Sequence, residues 1–276
     1  MSSPISRIIL GTRGSDLALA QTRIVAGLLQ AAHPALAVET RIIKTTGDKR
    51  LDVSLSAPGS LEKGLFTKEL EEALFDRSID AAVHSLKDLP TEQPAGLRVG
   101  AILERADPSD VLVSKHDGGL AGLPASAQIA TSSPRRKTQL LHLRSDLRVV
   151  EIRGNVPTRL RKLAEDPALD GLLLAKAGLD RLGHHIVPDG LRVSVIAEIL
   201  PAPGQGAIAI ECRNEDPGVA EVLSAIHHED TARCVAAERE LLQSLGGGCS
   251  LPLGALATIE DGAVRVRSFL PEGLPQ

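Results

Sequence analysis

One local pattern recurs along this chain: a short apolar run, a turn rich in glycine, serine or arginine, then apolar residues at helical spacing. That repetition restricts the fold to an α/β architecture, because runs of period two followed by period 3.6 build strand–turn–helix units. Residues 7–10 run into Gly11-Thr12-Arg13-Gly14-Ser15, after which Leu17, Ile24, Val25, Leu28 and Leu29 mark one helix face. Residues 128–130 run into Thr131-Ser132-Ser133-Pro134-Arg135-Arg136, where Ser133 reads as an N-cap and Pro134 as the first helical residue. Residues 147–152 lead to Arg153-Gly154-Asn155 and a helix with Arg159, and residues 171–175 lead to Gly178 and Arg181. Ligands of open α/β sheets bind at the carboxyl ends of the strands, so these turns are expected to converge on one edge. Gly11 and Gly14 do not give the three-glycine spacing of a dinucleotide site, and the layout fits an anion held by backbone N–H groups beside Arg13 and Ser15.

The stretch DAAVHSLKDLPT, residues 80–91, is read as the central strand. Its apolar residues predict a buried strand of a parallel sheet, ended by Pro90, which removes the next ladder donor. Lys87 and Asp88 are thereby expected at the strand end, with one carboxylate on the rim of a cleft.

Charge sharpens this reading. The net charge is −4, yet residues 131–162 hold nine Lys/Arg against Asp146 and Glu151, which makes that segment +7 and the remainder −11. Two arginines in a helix's first turn oppose the macrodipole, a broken local rule that points to function. Guanidinium groups bind carboxylates and phosphates bidentately, so the basic turns imply a ligand with several such groups, while Arg144 and Arg148 read as a solvated face. Aromatics make up only 1% of the chain, which removes the stacking platforms of a single-strand nucleic-acid binder. No stretch is long enough to span a membrane, and the first residues lack a signal-like apolar run, so a cytoplasmic location is expected. Three cysteines without ligand spacing argue against a disulfide framework and against a metal site.

Two crossings organise the chain. The polar residues 104–110 and the Pro/Gly-rich residues 200–206 are read as passages between two α/β lobes, which makes a hinged pair with a cleft. Residues 45–63 read as a long loop, either disordered or a lid. The last part begins with a helix over residues 231–245 and stops at Gly246-Gly247-Gly248-Cys249, where the glycines allow close approach to the Cys249 thiol. Cys212 and Cys234 are read as packing residues. Asp261-Gly262 is flanked by two strands of a hairpin.

With these pieces in place, the sequence closely resembles the porphobilinogen deaminase family. GTRGSDLALAQT, KGLFTKEL, AAVHSLKDLP, TSSPRRKTQLL, RGNVPTRL, AGLDRL, PAPGQGAIAIECR and GGGCSLPLGA occur in the family's order and cover nearly the whole chain. The resemblance implies an α/β enzyme with two hinged lobes like those of periplasmic binding proteins and a small α+β third domain. The lobes are expected over residues 1–104 with 205–225 and over 105–204, and the third domain over 226–276. Family members usually continue past the position of Gln276, so the third domain is expected to be a shortened one.

The implied chemistry is the head-to-tail condensation of four porphobilinogen molecules onto a covalent dipyrromethane cofactor, with release of ammonia and then of the linear tetrapyrrole. By the resemblance, Cys249 holds the cofactor through a thioether, and Lys87, Ser133, Arg135 and Arg136 bind it. Asp88 is the catalytic carboxylate, and Arg13, Ser15, Arg153, Arg159, Arg181 and Gln205 face substrate or growing chain. No metal, nucleic acid or membrane is implied, and a monomer is expected. The alternative is a two-lobed protein that binds an anionic solute without turning it over.

Overall fold

The computed structural model describes residues 5–45, 67–247 and 251–271. The predicted loop over residues 45–63 and the cysteine position 249 therefore lie, apart from Thr45, outside the described residues.

Strand β1 (Arg7–Thr12) buries Ile8 and Leu10 completely. They meet Val25 and Leu29 of helix α1 (Asp16–Ala32), so one face of the sheet is built from the period-two and period-3.6 patterns read in the sequence. Strand β2 (Ala37–Ile42) forms the outer edge beside β1. Helix α2 (Lys68–Phe75) covers the opposite face with Leu70, Ala73 and Leu74, packed with Ile79 and Ala82. Strand β3 (Ala81–Ser85) is thus covered on both faces. It is followed by a 3₁₀ turn over Leu86–Asp88 and by strand β4 (Leu97–Ile102).

The second sheet starts with β5 (Asp110–Ser114) and continues through β6 (Gln128–Ala130), helix α3 (Pro134–Leu143), β7 (Arg148–Val150) and helix α4 (Val156–Glu165). It closes with β8 (Gly171–Ala175), helix α5 (Lys176–Leu182) and β9 (Arg192–Ile196). Alternate residues of its strands feed two cores: Val111, Val113, Leu172 and Leu174 one, Leu112, Ile129 and Leu173 the other. Strand β10 (Ile208–Arg213) then returns to the first sheet.

The two sheets have the same plan. Their orders are β2-β1-β3-β10-β4 and β7-β6-β8-β5-β9. In each, three strands run parallel, and the fourth, which has just arrived from the other lobe, is antiparallel to both its neighbours. The sheets are therefore mixed where parallel pairing was expected for the central strand: β3 pairs parallel with β1 and antiparallel with β10. Chain direction at that position is set by the return from the second lobe, which local pattern does not carry.

The crossings lie side by side. Ala106 N–H donates to Gly206 O at 3.2 Å and Arg105 Nε to Gln205 O at 2.8 Å. Gly206 has φ +89, and a Cβ there would lie 2.5 Å from Ala106 O, so only glycine permits this approach. Helix α6 (Pro217–Ser224) packs on the first sheet, and helix α7 (Glu229–Ser244) leads to the hairpin of β11 (Gly254–Glu260) and β12 (Ala263–Phe269). A two-stranded hairpin is marginal alone. Here it is anchored through Glu238, fully buried on α7, whose carboxylate accepts from Arg105 at 2.7 and 3.0 Å, Gly204 N–H at 2.7 Å and Ala257 N–H at 2.7 Å. One side chain thus joins both crossings to the hairpin.

Candidate active site

Strand β3 ends at Ser85, earlier than the apolar run predicts, because the chain tightens into the 3₁₀ turn, with Leu89 N–H donating to Leu86 O at 3.1 Å. Leu86 and Leu89 point into a core with Ala207, Ala209 and Val235, so Asp88 is turned outward. It opens on a cleft whose lining includes Arg13, Ser15, Gln21, Thr67, His84 and Ser85. Ser15 caps α1, its Oγ accepting from Ala18 N–H at 3.3 Å, which brings the helix N-terminus and Arg13 to the same rim. Gln21 and Ser85 are hydrogen-bonded at 2.8 and 3.2 Å. Behind the rim, His84 Nε2 lies 3.2 Å from the buried Glu211 carboxylate.

Arg135 and Arg136 are not on a solvated helix face: they are 4% and 6% exposed. Ser133 caps α3, its Oγ accepting from Arg136 N–H at 3.4 Å, and this sends both guanidinium groups inward to Asp110 at the start of β5. Asp110 Oδ2 accepts from Arg135 Nη1 at 2.6 Å. Its Oδ1 accepts from Arg136 Nε and Nη2 at 3.1 and 2.8 Å, and from Gln205 Nε2 at 2.9 Å. Burial raises the Asp110 pKa, but the two guanidinium groups outweigh it and hold the carboxyl below the usual carboxylate range. The macrodipole conflict at α3 is resolved by this buried anion.

Gln205, expected to face substrate, is 1% exposed, and its amide is engaged with Asp110 and with Pro108 O at 2.7 Å. Its Oε1 is 3.5 Å from Lys87 Nζ. Burial lowers the Lys87 pKa to about 8, with Arg136 and Arg135 adding to the shift and Asp88 and Asp110 opposing it. Lys87 therefore lies within the field of both lobes.

The remaining basic turns reach the same region. Burial, joined by the positive charges of Arg136 and Arg153 and opposed by Asp88, lowers the Arg159 pKa to about 10. Arg159 of the second lobe is thus electrostatically coupled to the carboxylate of the first. Arg159 Nε donates to Gly154 O at 2.7 Å, and Arg181 Nη2 to Gly206 O at 2.6 Å. Arg153 Nη2 is buried with no hydrogen-bond acceptor and lies 3.8 Å from Glu151. Arg144, by contrast, pairs with Asp146 at 2.7 and 2.9 Å on the outer surface.

The structure brings Asp88, Arg13 and Ser15 of one lobe together around one cleft, and sets Lys87 and Asp88 within electrostatic reach of Arg136 and Arg159 of the other lobe. It does not bring Cys212 or Cys234 there; both are buried free thiols with pKa values raised by desolvation. Among the described residues no group of three or more His, Cys, Asp and Glu is placed to hold a metal ion. Asp110, Gln21, His84 and Glu211 escaped the sequence reading. Gln21 did leave a trace, being a polar residue one turn before Val25 and two before Leu29 on the apolar stripe of α1.

Comparison with known proteins gives this arrangement its context. The model for "Porphobilinogen deaminase, dipyromethane cofactor binding domain" matches residues 8–221, and that for "Porphobilinogen deaminase, C-terminal domain" matches residues 232–271. The porphobilinogen deaminase of Syntrophomonas wolfei is 51% identical over 95% of this chain and 84% of its own length. That of Moorella thermoacetica is 51% identical over 95% of this chain and 82% of its own length, and that of Rubrobacter xylanophilus 48% identical over 97% and 86%. These matches run through both lobes, both crossings and the hairpin, and they do not favour a non-catalytic anion binder. The chain belongs to the porphobilinogen deaminase family.

Proposed function

We propose that Asp88 is the carboxylate with which this chain performs its family's reaction, the condensation of porphobilinogen onto a dipyrromethane cofactor to give hydroxymethylbilane and ammonia. The observation that carries this reading is the position of Asp88, turned out of a buried strand end into a cleft lined also by Arg13 and Ser15, with the Arg159 guanidinium of the second lobe acting on it electrostatically.

The donor set suits the cofactor. Each pyrrole bears an acetate and a propionate, and Lys87, Ser133, Arg135 and Arg136 supply cations and a hydroxyl to hold them. When bound, the group supplies the pyrrole carbon to which each new substrate is joined. Arg13, Ser15, Arg153, Arg159 and Arg181 receive the carboxylates of the incoming molecule, and Arg153 Nη2, an ion-pair partner of Glu151 at 3.8 Å with no hydrogen-bond acceptor, is a donor ready for one of them. Gln205 serves by holding Lys87 and Asp110 across the crossing.

As the aminomethyl C–N bond of porphobilinogen breaks, ammonia leaves with the bonding pair and the pyrrole is left cationic. Asp88 accepts the pyrrole N–H hydrogen bond, which strengthens as that charge develops, and its Oδ atoms can take up the proton released on coupling. We assign the lobes to residues 1–104 with 205–225 and to residues 105–204, and the third domain to residues 226–276, with the cofactor joined to Cys249 by a thioether. The two sheets and the paired crossings support that division.

A cytoplasmic monomer acting on a small molecule completes the proposal, with neither nucleic acid nor membrane as partner. The scarcity of aromatic stacking platforms speaks against a single-stranded nucleic-acid partner. The test is steady-state turnover of Asp88→Asn with a folding control. A loss of at least about 100-fold in a folded protein is expected, and near-normal turnover would sink the assignment.

A further inference from the structure

The turn that carries Lys87 and Asp88 is held from the third region of the chain. Arg239, on α7, donates from Nη1 to Leu89 O at 2.9 Å and to Leu86 O at 3.4 Å, and from Nη2 to Pro90 O at 2.6 Å. These are the carbonyls on either side of Lys87 and Asp88. One helical turn earlier Val235, fully buried, packs against Leu86 and Leu89, so the same face of α7 supplies apolar contact and polar clamp. At the end of the helix, a Cβ on Gly247 would lie 3.5 Å from Thr91 Oγ1, so α7 follows this segment to its far side.

The clamp is unusual in its electrostatics. Burial lowers the Arg239 pKa, and among the described residues its hydrogen bonds go to backbone carbonyls rather than to a carboxylate. A partly buried guanidinium without an anion is costly unless its donors are well used. The neighbouring Glu238 is committed to Arg105, Gly204 and Ala257. The planar fork of Arg239 spans carbonyls that a single ammonium could not reach together.

We infer that Arg239 is a positioning residue for Asp88, fixing the turn so that the carboxylate points into the cleft and registering α7 against the catalytic turn. This rests on the assignment of Asp88 made above. A carboxylate held in place before reaction costs no reorganisation during it, and a displacement of about 1 Å can cost on the order of 100-fold.

The test compares Arg239→Gln and Arg239→Lys with Asp88→Asn and with Arg233→Gln, whose guanidinium on the same helix reaches Gly262 O at 3.0 Å and Asp230 at 3.7 Å, away from the turn. Rates are expressed per cofactor-loaded molecule, with loading read from intact mass. Arg239→Gln is expected to lower kcat roughly 10- to 100-fold with KM within about twofold, Arg239→Lys less, and Arg233→Gln not at all. Independently of activity, hydrogen exchange of the peptide spanning residues 85–91 is expected to quicken in both Arg239 variants. In an Asp88→Asn background, Arg239→Gln should leave the residual rate unchanged within about twofold. Should Arg239→Gln fail to fold, Arg239→Lys decides by the same split. Unchanged kcat and exchange, or a loss that multiplies with that of Asp88→Asn, overturns the role of Arg239. Normal turnover of Asp88→Asn alone overturns the assignment of Asp88 instead.

Discussion

Removing the charge from Asp110 tests how the two cations at the start of α3 are held. Asp110→Asn preserves shape, but four donors converge on this carboxylate, three on Oδ1 and one on Oδ2. An amide can offer only one acceptor atom, so either Arg135 Nη1 or the Arg136–Gln205 group then faces an N–H donor. Both arginine side chains are at most 8% exposed, and water cannot replace the lost anion. Breaking a buried pair on one side costs about 3–5 kcal/mol, a large share of a stability of roughly 5–15 kcal/mol. For a chain of this size that corresponds to a fall in melting temperature of about 6–20 °C. Asp146→Asn is the matched control, because its pair with Arg144 is solvent-exposed and water screens such pairs, so that little stability is lost with it. Urea unfolding of the parent and both variants measures the difference. The pH dependence has a definite sign: the folded Asp110 pKa is depressed, so its contribution is complete above the unfolded value of about 4 and is lost as pH falls toward the folded value. Equal, small shifts for Asp110→Asn and Asp146→Asn would refute the reasoning.

Two further outcomes follow from the same geometry. Arg153→Leu is expected to raise KM for porphobilinogen at least about tenfold while Arg144→Leu leaves it within twofold, since Arg153 follows a strand end beside Arg159 and Arg144 is paired with Asp146; equal effects in a substrate titration would reduce the basic segment to a diffuse field. Lys87 has a folded pKa lowered to about 8 from 10.5, so between those values the unfolded chain binds more protons and stability from this group rises with pH. In cofactor-free protein Lys87→Met should therefore be the more stable variant below pH 8, with its advantage fading toward pH 10.5 in urea midpoints; an advantage independent of pH would contradict this.

The strand–turn–helix units were legible because each is local: Ser15 and Ser133 cap their helices, and Pro134 opens α3 where the sequence places it. The hairpin around Asp261-Gly262 was legible for the same reason. Strand β9 was not, because Arg192, Val193 and Val195 are exposed on an edge and form no buried run. Nor was helix α6, whose eight residues span barely two turns. Asp110 carried no local signal, since its partners stand 25, 26 and 95 residues away. The same holds for Arg239, which acts on carbonyls about 150 positions earlier. Basic turns could be read as a site from residue type alone, but which of those arginines face a ligand and which are held by a buried carboxylate depends on how the two crossings meet.

The most direct measurement is the intact mass of the chain purified from cells that make porphobilinogen, followed by peptide mapping. A thioether requires a thiolate that can reach an electrophilic carbon, and Cys212 and Cys234 are buried with raised pKa values. The account predicts a mass increase of one dipyrromethane, located on the peptide containing Cys249, and an unmodified, inactive Cys249→Ser protein. An adduct on Cys212 or Cys234, or full activity in a chain of unmodified mass, would contradict it.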